Sequence, residues 1–115
     1  MTVEQMAAAL GARVLTKEVA LVRDVKAVYT SDLLSRVMTN AGKDTAWITV
    51  QTHMNMVAVA SLLEFSCVIV PEGIDVDENI VAKAEEEGIA LLSSDKGSYE
   101  LSGMLYAQGI APAKK

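Results

Sequence analysis

Apolar and polar positions follow one another along the chain in blocks of changing period, and the blocks predict a regular succession of elements. At the amino end, Thr2-Val3-Glu4-Gln5 has the form of a capping box, with Thr2 at the N-cap and Gln5 reaching back. Val3, Met6 and Leu10 then share one helical face, and Gly11 supplies a left-handed stop. Residues 12–15 and 19–22 read as short extended segments. Residues 25–29 alternate as a strand and stop at Thr30-Ser31-Asp32, a run of good N-cap residues. Leu33, Leu34, Val37 and Met38 return to helical spacing, and residues 40–44 form a turn.

From there a unit repeats. Residues 46–50 predict a strand, Gln51-Thr52-His53 a short polar link, and residues 54–65 a deeply buried helix that is apolar on more than one side. Residues 66–70 predict a second strand, followed by a turn at Pro71-Glu72-Gly73. Asp75-Val76-Asp77-Glu78 resembles a capping box and opens a helix with Ile80, Val81 and Ala84 inward, closed by Gly88. Residues 89–92 predict a third strand, 93–97 a polar link, and 98–108 a last helix ended by Gly109. Strands alternating with single helices imply parallel crossovers, and near-continuous apolar strands imply a sheet covered on both faces. The expected fold class is α/β: a three-layer α/β/α sandwich with a mainly parallel sheet. One domain is expected over residues 1–110, with a flexible tail at 111–115.

Composition narrows the chemistry. A chain of 115 residues and 12.3 kDa is the size of one domain. Surface scaling predicts an exposed area of about 6,100 Å² when folded. Hydrophobic residues make up 51% of the chain and mean hydropathy is +0.29, which excludes disordered and low-complexity classes. The net charge of −5, with no basic cluster beyond Lys114-Lys115, excludes a nucleic-acid binder. No basic region followed by an apolar stretch opens the chain, and residues 54–70 are interrupted by Asn55, Ser61, Glu64 and Ser66. The expected setting is therefore the cytoplasm, without a membrane. Cys67 lies in an apolar run and reads as a packed thiol, in keeping with a reducing compartment.

Several strong signals are absent. Val37 stands where a phosphate loop ending in Gly42-Lys43 needs glycine, and Asp44 stands where it needs Ser or Thr. There is no GxGxxG, HExxH or CxxC, and a single His with a single Cys argues against a zinc site. No catalytic residue, metal or cofactor is assigned. Candidate chemistry is left to the polar links at the strand ends, where ligands of parallel sheets sit. In Gln51-Thr52-His53-Met54-Asn55, either Thr52 caps the next helix with His53 packed beside it, or helix amides and His53 meet an anion. Pro71-Glu72-Gly73 is either a tight turn with Gly73 at positive φ or a close backbone approach to a ligand. In the link containing Ser93, Ser94 and Asp95, one hydroxyl is expected to cap the last helix. Thr30-Ser31-Asp32 is expected to cap its own helix. Glu85-Glu86-Glu87 reads as a solvated face, Met38, Met54, Met56 and Met104 as core filler, and Trp47 as packed against a helix.

At Thr49-Val50-Gln51-Thr52-His53-Met54-Asn55, Val68-Ile69-Val70-Pro71-Glu72-Gly73 and Ser93-Ser94-Asp95, the chain resembles the DRTGG domain family, over roughly residues 2–110. It is most similar to small stand-alone members labelled as related to the N-terminal, non-catalytic domain of HPr kinase/phosphorylase. The family motif has a Gly-Asp-Arg-type turn entering a helix and a Thr-Gly-Gly-type turn after the next strand. Gln51-Thr52-His53 stands in the first place and Pro71-Glu72-Gly73 in the second, so only the final glycine is retained literally. The motif's arginine is missing, and His53 is a pH-dependent substitute for it. The resemblance implies a fold like that of the kinase's N-terminal domain, without the kinase chemistry, which belongs to a separate P-loop domain. Relatives beside CBS domains, in long phosphotransacetylases and with iron-only hydrogenase components imply regulation or assembly rather than turnover.

Together these readings set the expectation of a non-catalytic regulatory or ligand-sensing module, taking a nucleotide or small phosphorylated metabolite at Gln51, Thr52, His53, Asn55, Glu72, Gly73, Ser94 and Asp95. The alternatives are an interaction module that docks on a redox or kinase partner without a ligand, and a small enzyme using His53 as acid or base, with Ser94 as a nucleophile beside it. A homodimer is expected, because an open sheet leaves edges and apolar side chains to cover.

Overall fold

A computed structural model describes residues 1–114. In chain order the elements are α1 (Val3–Leu10), β1 (Arg13–Val14), β2 (Ala27–Thr30), α2 (Leu34–Asn40), β3 (Thr45–Ile48), α3 (Met54–Leu62), β4 (Cys67–Val70), α4 (Glu78–Glu86), β5 (Ala90–Ser93), α5 (Ser98–Ala107) and β6 (Ala111–Pro112). The strands form one six-stranded sheet in the order β1-β5-β4-β3-β2-β6. All pairings are parallel except at one edge, where β1 runs antiparallel to β5, with Arg13 opposite Ser93 and Val14 opposite Leu92. The exposed area of 5928 Å² matches the scaling expectation.

The layering follows from the alternation of side chains along each strand. Trp47, Val68, Val70 and Leu91 face one way and pack with Val37 of α2, Met56, Val57 and Ala60 of α3, and Ile80 and Ala84 of α4. Ala46, Ile48, Cys67, Ile69, Ala90 and Leu92 face the other way, onto Val3, Met6 and Leu10 of α1 and Leu101 and Leu105 of α5. Both faces of β3, β4 and β5 are covered, so each reads as an unbroken apolar run. This is the expected α/β/α sandwich with a mainly parallel sheet. Trp47 is fully buried on the α2–α3–α4 side. It meets Phe65 edge-on at 5.8 Å and donates Nε1–H to the Ser31 carbonyl at 2.8 Å.

Local signals hold where the partner is local. The Thr2–Gln5 capping box forms in both directions, and Gly11 adopts φ 64 at the end of α1. Gly88 and Gly109 take φ 71 and 85 after α4 and α5. Where a neighbour in space competes, the structure differs from the expectation. Residues 19–22 form no strand, because their chain passes the start of α1. There the carbonyls of Leu21 and Arg23 accept the otherwise unpartnered N–H groups of Glu4 and Val3. The expected tail also differs: Ala111–Pro112 pairs with β2, and the Ala113 N–H donates to the Val28 carbonyl. Lys115 of that tail lies outside the described residues. Met38 and Met54 are 44% and 40% exposed rather than core, because α2 and α3 each cover the sheet with only one side.

Candidate functional site

Because β2, β3, β4 and β5 run parallel and in neighbouring positions, their carboxyl ends open on one side of the sheet. The polar links following them, at residues 31–33, 49–53, 71–77 and 94–97, all begin there. The structure sorts the candidate residues into two groups, with no hydrogen bond joining one group to the other among the described residues.

The first group surrounds Asp32. Instead of capping α2, whose N-cap is Leu33 without a side-chain bond, Asp32 turns to the end of β3. Its Oδ1 accepts from the Thr49 hydroxyl and from the Val50 N–H, both at 2.9 Å. The register explains the diversion. Thr30 lies opposite Ile48, so Asp32 comes level with the amide of Val50, just past the end of β3. Gln51 is drawn in as well, donating its side-chain amide to the Asp32 carbonyl at 2.9 Å and its N–H to Thr49 Oγ1 at 3.1 Å. The cap of α3 is His53, not Thr52: its Nδ1 accepts the Asn55 N–H at 3.2 Å. An imidazolium has a proton on both nitrogens and cannot accept that bond. Charging His53 therefore removes the helix cap.

The second group joins the turn after β4 to the link after β5. Glu72 and Gly73 both adopt left-handed backbone, φ 66 and 64, and the Ile74 N–H closes the turn on the Pro71 carbonyl at 3.4 Å. The turn is pinned to the neighbouring link by backbone alone: Glu72 N–H to the Lys96 carbonyl at 2.8 Å, and Gly73 N–H to the Ser94 carbonyl at 2.9 Å. A Cβ on Gly73 would stand 3.2 Å from Asp95 Oδ1, so glycine is required both by conformation and by space. Ser94 is buried, and its hydroxyl accepts the Lys96 N–H at 3.1 Å. The cap of α5 is Gly97, without a side-chain bond, so the expected hydroxyl cap is absent. Asp75 likewise yields its expected role to Asp77, which caps α4 by accepting the Asn79 N–H at 3.0 Å.

Arg13 is the residue that the chain pattern did not single out. The antiparallel strand β1 lays it beside β5, where its Nη2 donates to Asp95 Oδ1 at 3.0 Å and to the Ser93 hydroxyl at 3.2 Å. The hydrogen bond and charge of Arg13 hold the Asp95 carboxyl below the usual aspartate range, and Asp95 raises the Arg13 guanidinium in turn. The only sequence signal for it is the alternation Arg13, Leu15, Lys17. Beside this pair lies an open groove of about 500 Å³, which takes in Gly73 alone among the candidate residues. Ser94 and His53 are each bonded to a nearby backbone N–H and not to one another. Cys67 is the first residue of β4, flanked in the sheet by Ala46 and Ala90, and burial pushes its thiol up to about 12. Among the described residues, no group of three or more His, Cys, Asp or Glu side chains is placed to hold a metal ion, and no helix is long and apolar enough to cross a membrane.

Comparison with known proteins adds to this geometry. No curated protein matches the chain. Among solved structures, the fold resembles the CBS and DRTGG domains of the regulatory region of Clostridium perfringens pyrophosphatase, determined with the activator diadenosine tetraphosphate. The TM-score is 0.73 at 16% identity, over 90% of this chain and 45% of that one, so the chain spans less than half the length of that region. The model of the DRTGG domain matches residues 5–107, a span that holds the whole sheet but β6, and the chain belongs to the DRTGG domain family.

Proposed function

We propose that the protein is a non-catalytic regulatory module that senses a nucleotide or small phosphorylated metabolite at the carboxyl end of its sheet. One observation carries this reading. Of the three non-glycine residues in left-handed backbone among the described residues, Asp44 and Glu64 precede β3 and β4, and Glu72, at φ 66, is the one at the carboxyl end of the sheet, next to Gly73 and the Arg13–Asp95 pair. A non-glycine residue in that region costs about 1–3 kcal/mol and persists where its surroundings impose it, which is characteristic of ligand sites. The turn lies where open α/β sheets take their ligands. The structural neighbour's nucleotide activator supports the choice of ligand class. In this reading Glu72, Gly73, Ser94 and Asp95 form the near side of the site. Gln51, Thr52, His53 and Asn55 form the far side, with His53 offering Nε2 while Nδ1 caps α3. The free Cys67 thiol supports a cytoplasmic setting. Native mass spectrometry against adenine nucleotides and phosphorylated metabolites tests the reading. Stoichiometric mass gain is the expected result, and a protein that stays empty across the panel overturns it.

A second reading, self-association or docking on a larger partner, is favoured by α3, which carries no charged residue and leaves Met54 and Leu62 exposed, with Leu33 exposed ahead of α2. Sedimentation across a concentration series reports the dimer directly, and a monomer at all concentrations removes the homodimer.

A further inference from the structure

The groove between β1 and α4 has sorted walls. Its volume of about 500 Å³ falls in the range of small-molecule sites. From the β1 side, Arg13, Leu15 and Lys17 enter at alternate positions, so one wall runs cation, carbon, cation. From α4, Glu78, Val81 and Glu85 enter at helical spacing, so the facing wall runs carboxylate, carbon, carboxylate. Ile74 and Val76 extend the apolar floor, and Asp75 adds a further carboxylate. At the sheet end lies Ser93, only 4% exposed. Its oxygen accepts from Arg13, and its own proton is uncommitted among the described contacts.

These walls select a ligand. A phosphate with no neutral donors attached would leave Asp75, Glu78 and Glu85 uncompensated across the groove, and an apolar molecule would strip water from charges on both sides. A molecule with negative charge at one end and neutral hydrogen-bond donors at the other suits both walls. We propose that the groove binds a nucleoside monophosphate. Its phosphate sits on Arg13, Lys17 and the Ser93 hydroxyl, its sugar hydroxyls donate to Asp75 and Glu78, and its base lies on Ile74, Val76 and Val81. This rests on the ligand-sensing reading above, gives it a ligand class, and moves the seat from the strand-end loops to the adjoining groove, which shares Gly73 with them. Binding exchanges Asp95 for phosphate on Arg13. Asp95 abuts Gly73 and precedes the Gly97 cap of α5, so occupancy releases a carboxylate in the link that leads into that helix.

Amide-resolved NMR titration of the full chain with AMP, adenosine and inorganic phosphate as separate probes tests the proposal, in the wild type and in Arg13→Gln and Lys17→Gln. Both side chains are exposed, and Lys17→Gln removes no hydrogen bond or ion pair shown in the structure. The expected result is saturable AMP binding that shifts the amides of Arg13, Ile74, Glu78 and Ser93, weakened about tenfold by either substitution. Adenosine should bind more weakly than AMP and be indifferent to both substitutions, and phosphate alone should not saturate. AMP shifts confined to residues 51–55, unchanged in both variants, would overturn the groove and leave the ligand-sensing reading standing. Phosphate binding as tight as AMP would overturn the nucleoside assignment. Binding of some other metabolite in the mass-spectrometric panel without AMP binding would overturn the ligand class, and an empty protein across that panel overturns both readings.

Discussion

The two strand-end loops solve the same problem in opposite ways. After β3, side chains satisfy the backbone: Asp32 takes the Val50 amide, Gln51 donates to the Asp32 carbonyl, and His53 takes the Asn55 amide. After β4, backbone satisfies backbone, since Glu72 and Gly73 donate to the Lys96 and Ser94 carbonyls. The side chains of Asp32, Thr49 and Gln51 and the Nδ1 of His53 are therefore committed to structure. Those of Glu72 and Asp95 stand outside it, with Asp95 bonded, among the described residues, to an exposed arginine. The comparison teaches that polar residues at a sheet's ligand-facing end are not equally available: the loop closed by its backbone is the one with side chains to spare for a ligand.

Substitutions can break this contrast. The largest effect is expected from Asp32→Ala, which strands the buried Thr49 hydroxyl and the Val50 amide, bonded in the native protein to one carboxylate oxygen. A loss of about 2 kcal/mol of stability in urea unfolding is expected. A loss below half of that would mean that water replaces Asp32 and that the first loop is less committed than argued. Next comes Gly73→Ala, which places a Cβ in left-handed backbone and against Asp95, at a cost of about 1–2 kcal/mol. A neutral result would show the turn relaxing freely, contrary to its being pinned by Ser94 and Lys96. The smallest effect comes from acid. Arg13 depresses the Asp95 carboxyl below its ordinary value of 3.8, so the pair's contribution is complete above that value and disappears as pH falls through the lower, folded one. A carboxyl titration by NMR should place Asp95 below 3.8 in the native protein and return it toward 3.8 in Arg13→Gln. Because both groups are exposed, global stability should barely move.

Much of the architecture is legible in the chain because it depends on local pattern. The runs Thr45–Ile48, Cys67–Val70 and Ala90–Ser93 announce a doubly covered sheet, and the Thr2–Gln5 box and Gly11 mark a helix by contacts within one turn. Caps are misread where several polar residues stand together. The chain offers Asp32, Thr52 and Asp75, yet the structure uses Leu33, His53 and Asp77, and for Asp32 it is the neighbouring strand that decides. The site was half legible for the same reason. The turn with Gly73 at positive φ follows from Pro71-Glu72-Gly73, and the left-handed Glu72 does not. Arg13 meets Asp95 across most of the chain length, through an antiparallel pairing of two residues that no periodicity reveals.

The position of Cys67 makes the protein its own stopwatch. The thiol has no exposed surface, is paired between Ala46 and Ala90 on an interior strand of the sheet, and is held in its unreactive neutral form by burial. A thiol reagent reaches it only when the strands on either side come apart, so the rate of labelling counts separations of the sheet's interior strands rather than fluctuations of its surface. A ligand that tightens the fold should slow that clock in proportion to its occupancy, whichever loop it chooses.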